Sequence, residues 1–350
     1  MSINYPCSFE DAAPESLEDT LPTILPGSMR KIKTLSDALN GKIKLVEGFL
    51  PNQPSTFVVK QVSKNAKFAG LESPRNEIHA ALAIQSLRVP NTAEVYFAAK
   101  DDKSYYLATE HCANGELLAV INKAGRLEGD ALLREVLFQI LLAVGELHKN
   151  GIAHRDISLE NILVAADGGL RLIDWAQAIM VRDPRRSSAE VCVSQNAGPP
   201  GKPHYRGPEL EGGGSYLATK VDTFAIGVVL YVLVAGAYPF VPKRSAVLPE
   251  VSLFPKEEMN LSRCSRLSAQ LQKACGDISD KISLGCLDMM EQLLAPNPDL
   301  RLSVEEALSH PWLLGSITGF WPAEDDSTGI EDYMEEESEG ADNASVASDD

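Results

Sequence analysis

No C-x-x-C pair occurs among the six cysteines (Cys7, Cys112, Cys192, Cys264, Cys275 and Cys286), and the six histidines share no metal-ligand spacing. This argues against a zinc site built from side chains and against a disulfide framework, and it predicts reduced thiols. A run of 18 apolar residues is also missing. The most apolar stretch, "FAIGVVLYVLVAGAYPF" at 224–240, is shorter and predicts a buried helix, with no membrane partner. Acidic residues near the N-terminus, without the basic-then-apolar order of a signal peptide, lead us to expect none. Basic residues run out at the other end: 323–350 hold 12 Asp/Glu and no Lys or Arg, which leaves about −5 of the −17 net charge for the other 322 residues. An acidic balance argues against nonspecific nucleic-acid binding, although most of this one belongs to the tail.

What is present suits a globular protein. The 350 residues are 44% apolar and 23% charged, enough for one large domain or two lobes. Residues 1–29, rich in Pro, Ser and acidic side chains, predict a loosely ordered arm. Short apolar segments broken by Gly, Asn and Pro from Arg30 to Lys60 predict antiparallel strands. "SPRNEIHAALAIQSLRV" (73–89) predicts a helix opened by Ser-Pro, with Ile78, Leu82 and Ile84 among alanines. "AEVYFAAKDDKSYYLATEH" predicts two strands around "KDDKS". Beyond "ANGEL" helices dominate, the longest ending at Gly151. The expected fold is α+β: a small β-rich lobe at 30–112, a larger helical lobe at 113–315 and an acidic disordered tail at 316–350. No internal repeat is evident.

Phosphoryl transfer needs cations over phosphates, oxygen ligands for Mg²⁺ and a group that orients the attacking hydroxyl. The sequence offers these in order. Lys60 closes the strand-like "STFVVK", and Glu77 follows 17 residues later, able to pair with it. Asp156 and Asn161 stand in one loop, and Asp174 follows "LRLI". One carboxylate for the hydroxyl, then a carboxylate and an amide for hard cations, make a complete set. Taken singly, Lys60 is a strand lysine, Glu77 a solvated helix charge, Asp156 a turn former and Asn161 a helix cap.

The ordered series resembles a eukaryotic protein kinase of the serine/threonine type over roughly 30–314. It runs through Lys60 and Glu77, "HRDISLEN" (154–161), "IDWA" (173–176), "GPEL" (207–210), "KVDTFAIG" (220–227) and "PNPDLRLSVEEALSHPWL" (296–313). Small-molecule kinases share the H-x-D-x-x-x-x-N loop but lack the elements after Glu209. The resemblance implies a two-lobed fold, ATP and Mg²⁺ as cofactors, protein substrates, a monomer and a cytoplasmic location, with the nucleus as alternative. It implies that Asp156 orients the acceptor, Lys60 holds the α/β-phosphates, Asn161 and Asp174 hold the metal, Asp222 braces the catalytic loop and Arg301 pairs with Glu209. His154 is then structural. Thr109, Glu110 and Cys112 form the hinge against adenine, Ile43 and Val58 lie above the ring and Leu163 below it, and Glu116 meets the ribose.

Several positions depart from the family's pattern. In "SDALNGKI" (36–43) only Gly41 remains of three phosphate-loop glycines, which predicts weakened ATP binding. Trp175 replaces a phenylalanine, opposite Ala81 where a leucine is usual; large against small conserves volume. Ser158 replaces the catalytic-loop lysine, while Lys202 in "GKPHYRGPEL" replaces a threonine. The two chemistries exchange positions, so Lys202 is expected to reach Asp156 and the γ-phosphate with Ser158 in support. Arg155 predicts control by phosphate on the activation segment, with Ser187, Ser188 or Ser194 as acceptors for an upstream kinase. The competing reading is a pseudokinase scaffold that binds nucleotide or partners without turnover.

Overall fold

The computed structural model describes residues 5–13, 16–24, 29–38, 41–48, 55–65, 71–183, 189–239, 267, 271 and 282–315. The acidic tail lies outside them, as do Ser187 and Ser188.

The expectation of a loosely ordered arm needs correction. Strand β1 (Cys7–Ser8) leads into the single-turn helices α1 (Phe9–Ala12) and α2 (Leu17–Thr20), and the Ser8 hydroxyl caps α1 by accepting the Asp11 N–H. Phe9, Leu17 and Leu21 are buried in the main core. Three apolar anchors suffice to order a short segment that is otherwise polar, because each removes large apolar area from water. Average composition concealed them.

Strands β2 (Met29–Ala38), β3 (Gly41–Gly48), β4 (Thr56–Ser63), β5 (Val95–Lys100) and β6 (Ser104–Thr109) form an antiparallel sheet in the order β2-β3-β4-β6-β5. Side chains alternate across it. Val46, Phe57, Val59 and Ala108 bury one face, with Phe57 edge-on to Tyr96 and Phe97. The register puts Ile43, Val58, Lys60 and Thr109 on the other. Between β4 and β5, α3 (Pro74–Leu87) begins where the Ser73 side chain accepts the Asn76 N–H and Pro74 needs no donor. Ile78, Ala81 and Ile84 face the core; Leu82 is exposed, so alanines do the packing the sequence assigned to it.

The second lobe is helical: α4 (Leu117–Ala124), α5 (Asp130–Lys149), α6 (Ala218–Ala235), α7 (Leu284–Leu293), α8 (Val304–Leu308) and α9 (Pro311–Leu314). Gly151 ends α5 with φ 74°, and a Cβ there would meet the Arg182 carbonyl oxygen at 2.5 Å. By length and composition α6 could cross a membrane, but 89% of it is buried inside the protein, which makes it the core helix expected from the sequence. Short pairs complete the lobe. Strand β7 (Ile152–Ala153) pairs with β10 (Ile179–Met180), to which β1 adds; β8 (Ile162–Val164) pairs with β9 (Leu170–Leu172), and β11 (Val193–Ser194) with β12 (Ser215–Tyr216).

Candidate active site

The cleft-facing side of β4 carries Lys60, whose Nζ lies 2.6 Å from Glu77 Oε1 and 3.8 Å from Asp174 Oδ1. Burial disfavours the ammonium, but Glu77 and Asp174 more than offset it and hold the Lys60 pKa above the ordinary lysine range. Burial also lifts the Glu77 carboxyl above the usual range, so the neighbouring ammonium is what favours its charge. For Asp174 burial pushes upward too, yet Lys60 and the Ala176 N–H outweigh it and the carboxyl stays low. Asp174 sits in the left-handed backbone region, φ 68°. Such strain is tolerated where surrounding contacts fix the conformation.

The loop between β7 and β8 hangs from α6. Asp222, fully buried, accepts the N–H groups of His154 at 2.9 Å and Arg155 at 2.7 Å, and contacts His148 Nε2 at 2.9 Å. His154 Nδ1 accepts the Asp156 N–H at 3.2 Å, so Nε2 carries the proton and donates to the Ile173 carbonyl at 3.0 Å. Its ring packs 4.9 Å from Trp175. His154 is thus a satisfied structural residue. The Asn161 amide nitrogen donates to the Asp156 carbonyl at 2.8 Å and to Asp156 Oδ2 at 2.9 Å. That orientation directs Oδ1 away from Asp156. An amide oxygen and a carboxylate are the donors a hard divalent cation prefers, so Asn161 and Asp174 fit one.

Lys202 and Ser158 meet. Nζ of Lys202 donates to Ser158 Oγ at 2.8 Å and stands 3.4 Å from Asp156 Oδ2, while the Lys202 N–H donates to Asp156 Oδ1 at 3.1 Å. The turn before it requires glycine. Gly201 has φ 74°, its N–H donates to Gln177 Oε1 at 2.9 Å, and a Cβ would lie 3.0 Å from the Arg155 carbonyl oxygen. Burial lifts the Asp156 carboxyl and the Lys202 charge opposes that lift.

Beside this centre lie the predicted nucleotide contacts. Ile43, Val58 and Thr109 are half-buried on the cleft face, and Leu163 is half-buried on β8, where its backbone bridges Glu116. Cys112 is buried and its thiol is pushed up to about 12 by burial, which disfavours the reactive thiolate. Among the described residues no other group engages the Glu110 carbonyl oxygen or the Cys112 N–H, which leaves both for a ligand edge. The Glu110 side chain turns aside to pair with Arg171 at 3.0 Å. Glu116 is exposed at the start of α4.

Two expectations acquire different reasons. A Cβ on Gly41 would collide with the Gln61 carbonyl oxygen, so the β3–β4 approach already demands this glycine without any phosphate. Arg155 has partners within the fold. It is 5% exposed; Nε donates to the Gln177 carbonyl at 2.6 Å and a terminal nitrogen donates to the Tyr216 hydroxyl at 3.1 Å. Ser194 is exposed on β11. Arg301, wholly buried, grips Glu209 through two contacts at 2.6 and 2.9 Å, as the resemblance implied.

Asn76, Gln177 and Tyr216 were missed by the sequence reading. Only Asn76 left a signal: an amide beside Glu77 on a helix face otherwise filled by Ile and Ala.

Against this geometry the family comparison is decisive, because the protein kinase domain model matches residues 42–313. The chain belongs to the protein kinase family. It is 28% identical over 302 residues to protein kinase kin1 of Schizosaccharomyces pombe, covering 85% of this chain and 30% of the relative. It is 31% identical over 224 residues to serine/threonine-protein kinase kin-29 of Caenorhabditis briggsae, covering 64% and 24%. The hormonally up-regulated neu tumor-associated kinase of Mus musculus is 29% identical over 243 residues, covering 68% and 30%. These matches span about a quarter to a third of the relatives' own length.

Proposed function

We propose that the chain is an active protein serine/threonine kinase that uses Mg²⁺ and ATP. One observation carries the reading: Lys60 contacts Glu77 and Asp174 at once, so the phosphate-binding cation, its helix partner and a metal-binding carboxylate are assembled together. Asp156 would accept the hydrogen bond of the substrate hydroxyl and orient its oxygen. Lys60 would hold the α/β-phosphates, with adenine between Ile43 and Val58 on one side and Leu163 on the other. Asn161 and Asp174 would hold Mg²⁺, which supplies charge neutralisation on the phosphates when bound. Lys202 would face the γ-phosphate in place of a catalytic-loop lysine, positioned by the Ser158 hydroxyl.

With Arg155 held by Tyr216 and Gln177, the activation segment is braced without a phosphate. An upstream kinase acting on Ser187, Ser188 or Ser194 would then modulate turnover and not switch it on. A nucleotide-binding pseudokinase scaffold is the second reading, favoured by Gly41, the last loop glycine, having a purely structural reason to be there.

Incubating wild type and Asp156→Asn with Mg-ATP and a basic peptide, then mapping phosphosites by mass spectrometry, separates the two. Phosphate incorporated by wild type alone supports the kinase. Equal absence in both supports the scaffold.

A further inference from the structure

Helix α3 is fastened at its first turn by a residue that the phosphoryl-transfer machinery does not use. Asn76 is 3% exposed and adjoins Glu77. Its Oδ1 accepts the Phe9 N–H at 2.7 Å and the Glu10 N–H at 3.4 Å, both from the N-terminal arm. Its Nδ2 faces the carbonyl oxygens of Ala178 at 2.8 Å, Ala176 at 3.1 Å and Trp175 at 3.4 Å, just after Asp174. One amide therefore joins arm, helix and the segment that follows the metal-binding aspartate. No other side chain of this size does both jobs: a carboxylate would face three carbonyl oxygens, and a leucine would orphan buried donors and acceptors.

The arm is tied down along its described length. Cys7 and Ser8 pair antiparallel with Met180 and Ile179. Glu10 accepts the Ser73 hydroxyl at 3.0 Å and lies 3.6 Å from Arg75, both in the opening turn of α3. Phe9, Leu17 and Leu21 are buried. Glu18 accepts the Tyr105 hydroxyl at 2.5 Å and meets Lys64 at 2.9 Å, and Ile24 N–H donates to the Lys100 carbonyl at 2.8 Å. The arm thus starts on the helical lobe, crosses the first turn of α3 and ends on the edge of the β-sheet.

We propose that the arm, residues 5–13 and 16–24, is an intramolecular activator, and that Asn76 is the positioning residue through which its docking holds Glu77 against Lys60. The proposal rests on the kinase reading above. Undocking the arm removes the partners of Asn76 Oδ1 and frees α3 to rotate away from β4, so the Lys60–Glu77 pair opens. Binding the arm and closing the pair then share one equilibrium.

The test uses the full chain carrying Leu17→Asp, which buries an uncompensated charge and undocks the arm. Turnover and hydrogen exchange of residues 74–87 are measured together, before and after adding a synthetic peptide of residues 1–27. The expected result is faster exchange in α3 and a kcat lowered at least about tenfold, with the KM for the peptide substrate unchanged, and both restored by the wild-type peptide but not by a Phe9→Asp peptide. An arm released by exchange with kcat unchanged overturns the proposal. Should Leu17→Asp not fold, Phe9→Ala gives the same reading, since it removes a buried anchor of the arm and leaves the Asn76 bonds to residues 175–178 in place: an arm released by exchange with wild-type kcat there overturns the proposal too. A wild type without turnover would instead refute the kinase reading, while exchange in α3 still decides whether the arm holds the helix.

Discussion

The Lys202 ammonium lies 2.8 Å from the Ser158 hydroxyl, joining a residue of the activation segment to one of the catalytic loop. Since this ammonium also stands 3.4 Å from Asp156, Lys202→Ala should lower kcat by about 10²–10³-fold, the usual effect of removing one charge-stabilising donor. Exchanging the pair, Ser158→Lys with Lys202→Thr, should recover most of the rate. Steady-state kinetics on the two variants check this, and a fully active Lys202→Ala ends the assignment.

Trp175 and Ala81 belong to one buried core cluster. Ala81→Leu should overpack it, costing ~1–3 kcal/mol, and Trp175→Phe should leave a void. Combined, the two should cost less than their sum, because volume is conserved. Urea unfolding of both single variants and the double supplies the cycle. Strict additivity would mean that the side chains do not share one space.

Tyr216 holds Arg155 where a phosphate was expected. Removing its hydroxyl leaves a buried guanidinium N–H without that acceptor, so Tyr216→Phe should destabilise the fold by about 1–3 kcal/mol and reduce turnover. Phosphatase-treated wild type should keep its rate, and so should Ser194→Ala. A wild type silenced by phosphatase would show that the hydroxyl is not enough.

Glu18 anchors the arm in a pH-dependent way. Hydrogen bonds from Tyr105 and Lys64 lower its pKa from 4.5 to about 2. A depressed carboxylate contributes stability that is present above its unfolded pKa and lost as pH falls through the folded one. The stability gap between wild type and Glu18→Gln should therefore be full above about pH 4.5 and shrink steadily toward pH 2. Urea midpoints of both proteins between pH 3 and 7 measure it; a gap independent of pH would contradict the assignment.

Most of the catalytic geometry was legible because ordered motifs specify positions that chemistry constrains. Spacing and family resemblance picked out residues that the fold brings into contact: Lys60 with Glu77 and Asp174, Asn161 with Asp156, and Asp222 with the backbone of His154 and Arg155. Even the contact between Ser158 and Lys202 was legible, as two departures from the pattern that meet in space. The arm was not legible, since Phe9, Leu17 and Leu21 are dispersed among acidic and small residues and their value depends on a surface formed 60 or more positions later. The acceptors of Arg155, the Gln177 carbonyl and the Tyr216 hydroxyl on β12, were not legible for a related reason: they carry no motif of their own.

Helix α6 holds the catalytic loop through Asp222 and is apolar enough to enter lipid, yet 89% of it is shielded by the fold. The price of that anchor is a greasy segment released whenever the chain unfolds. Such a segment favours association over refolding on heating, so the expected outcome is an apparent midpoint that moves with scan rate, set by how quickly the lobe opens.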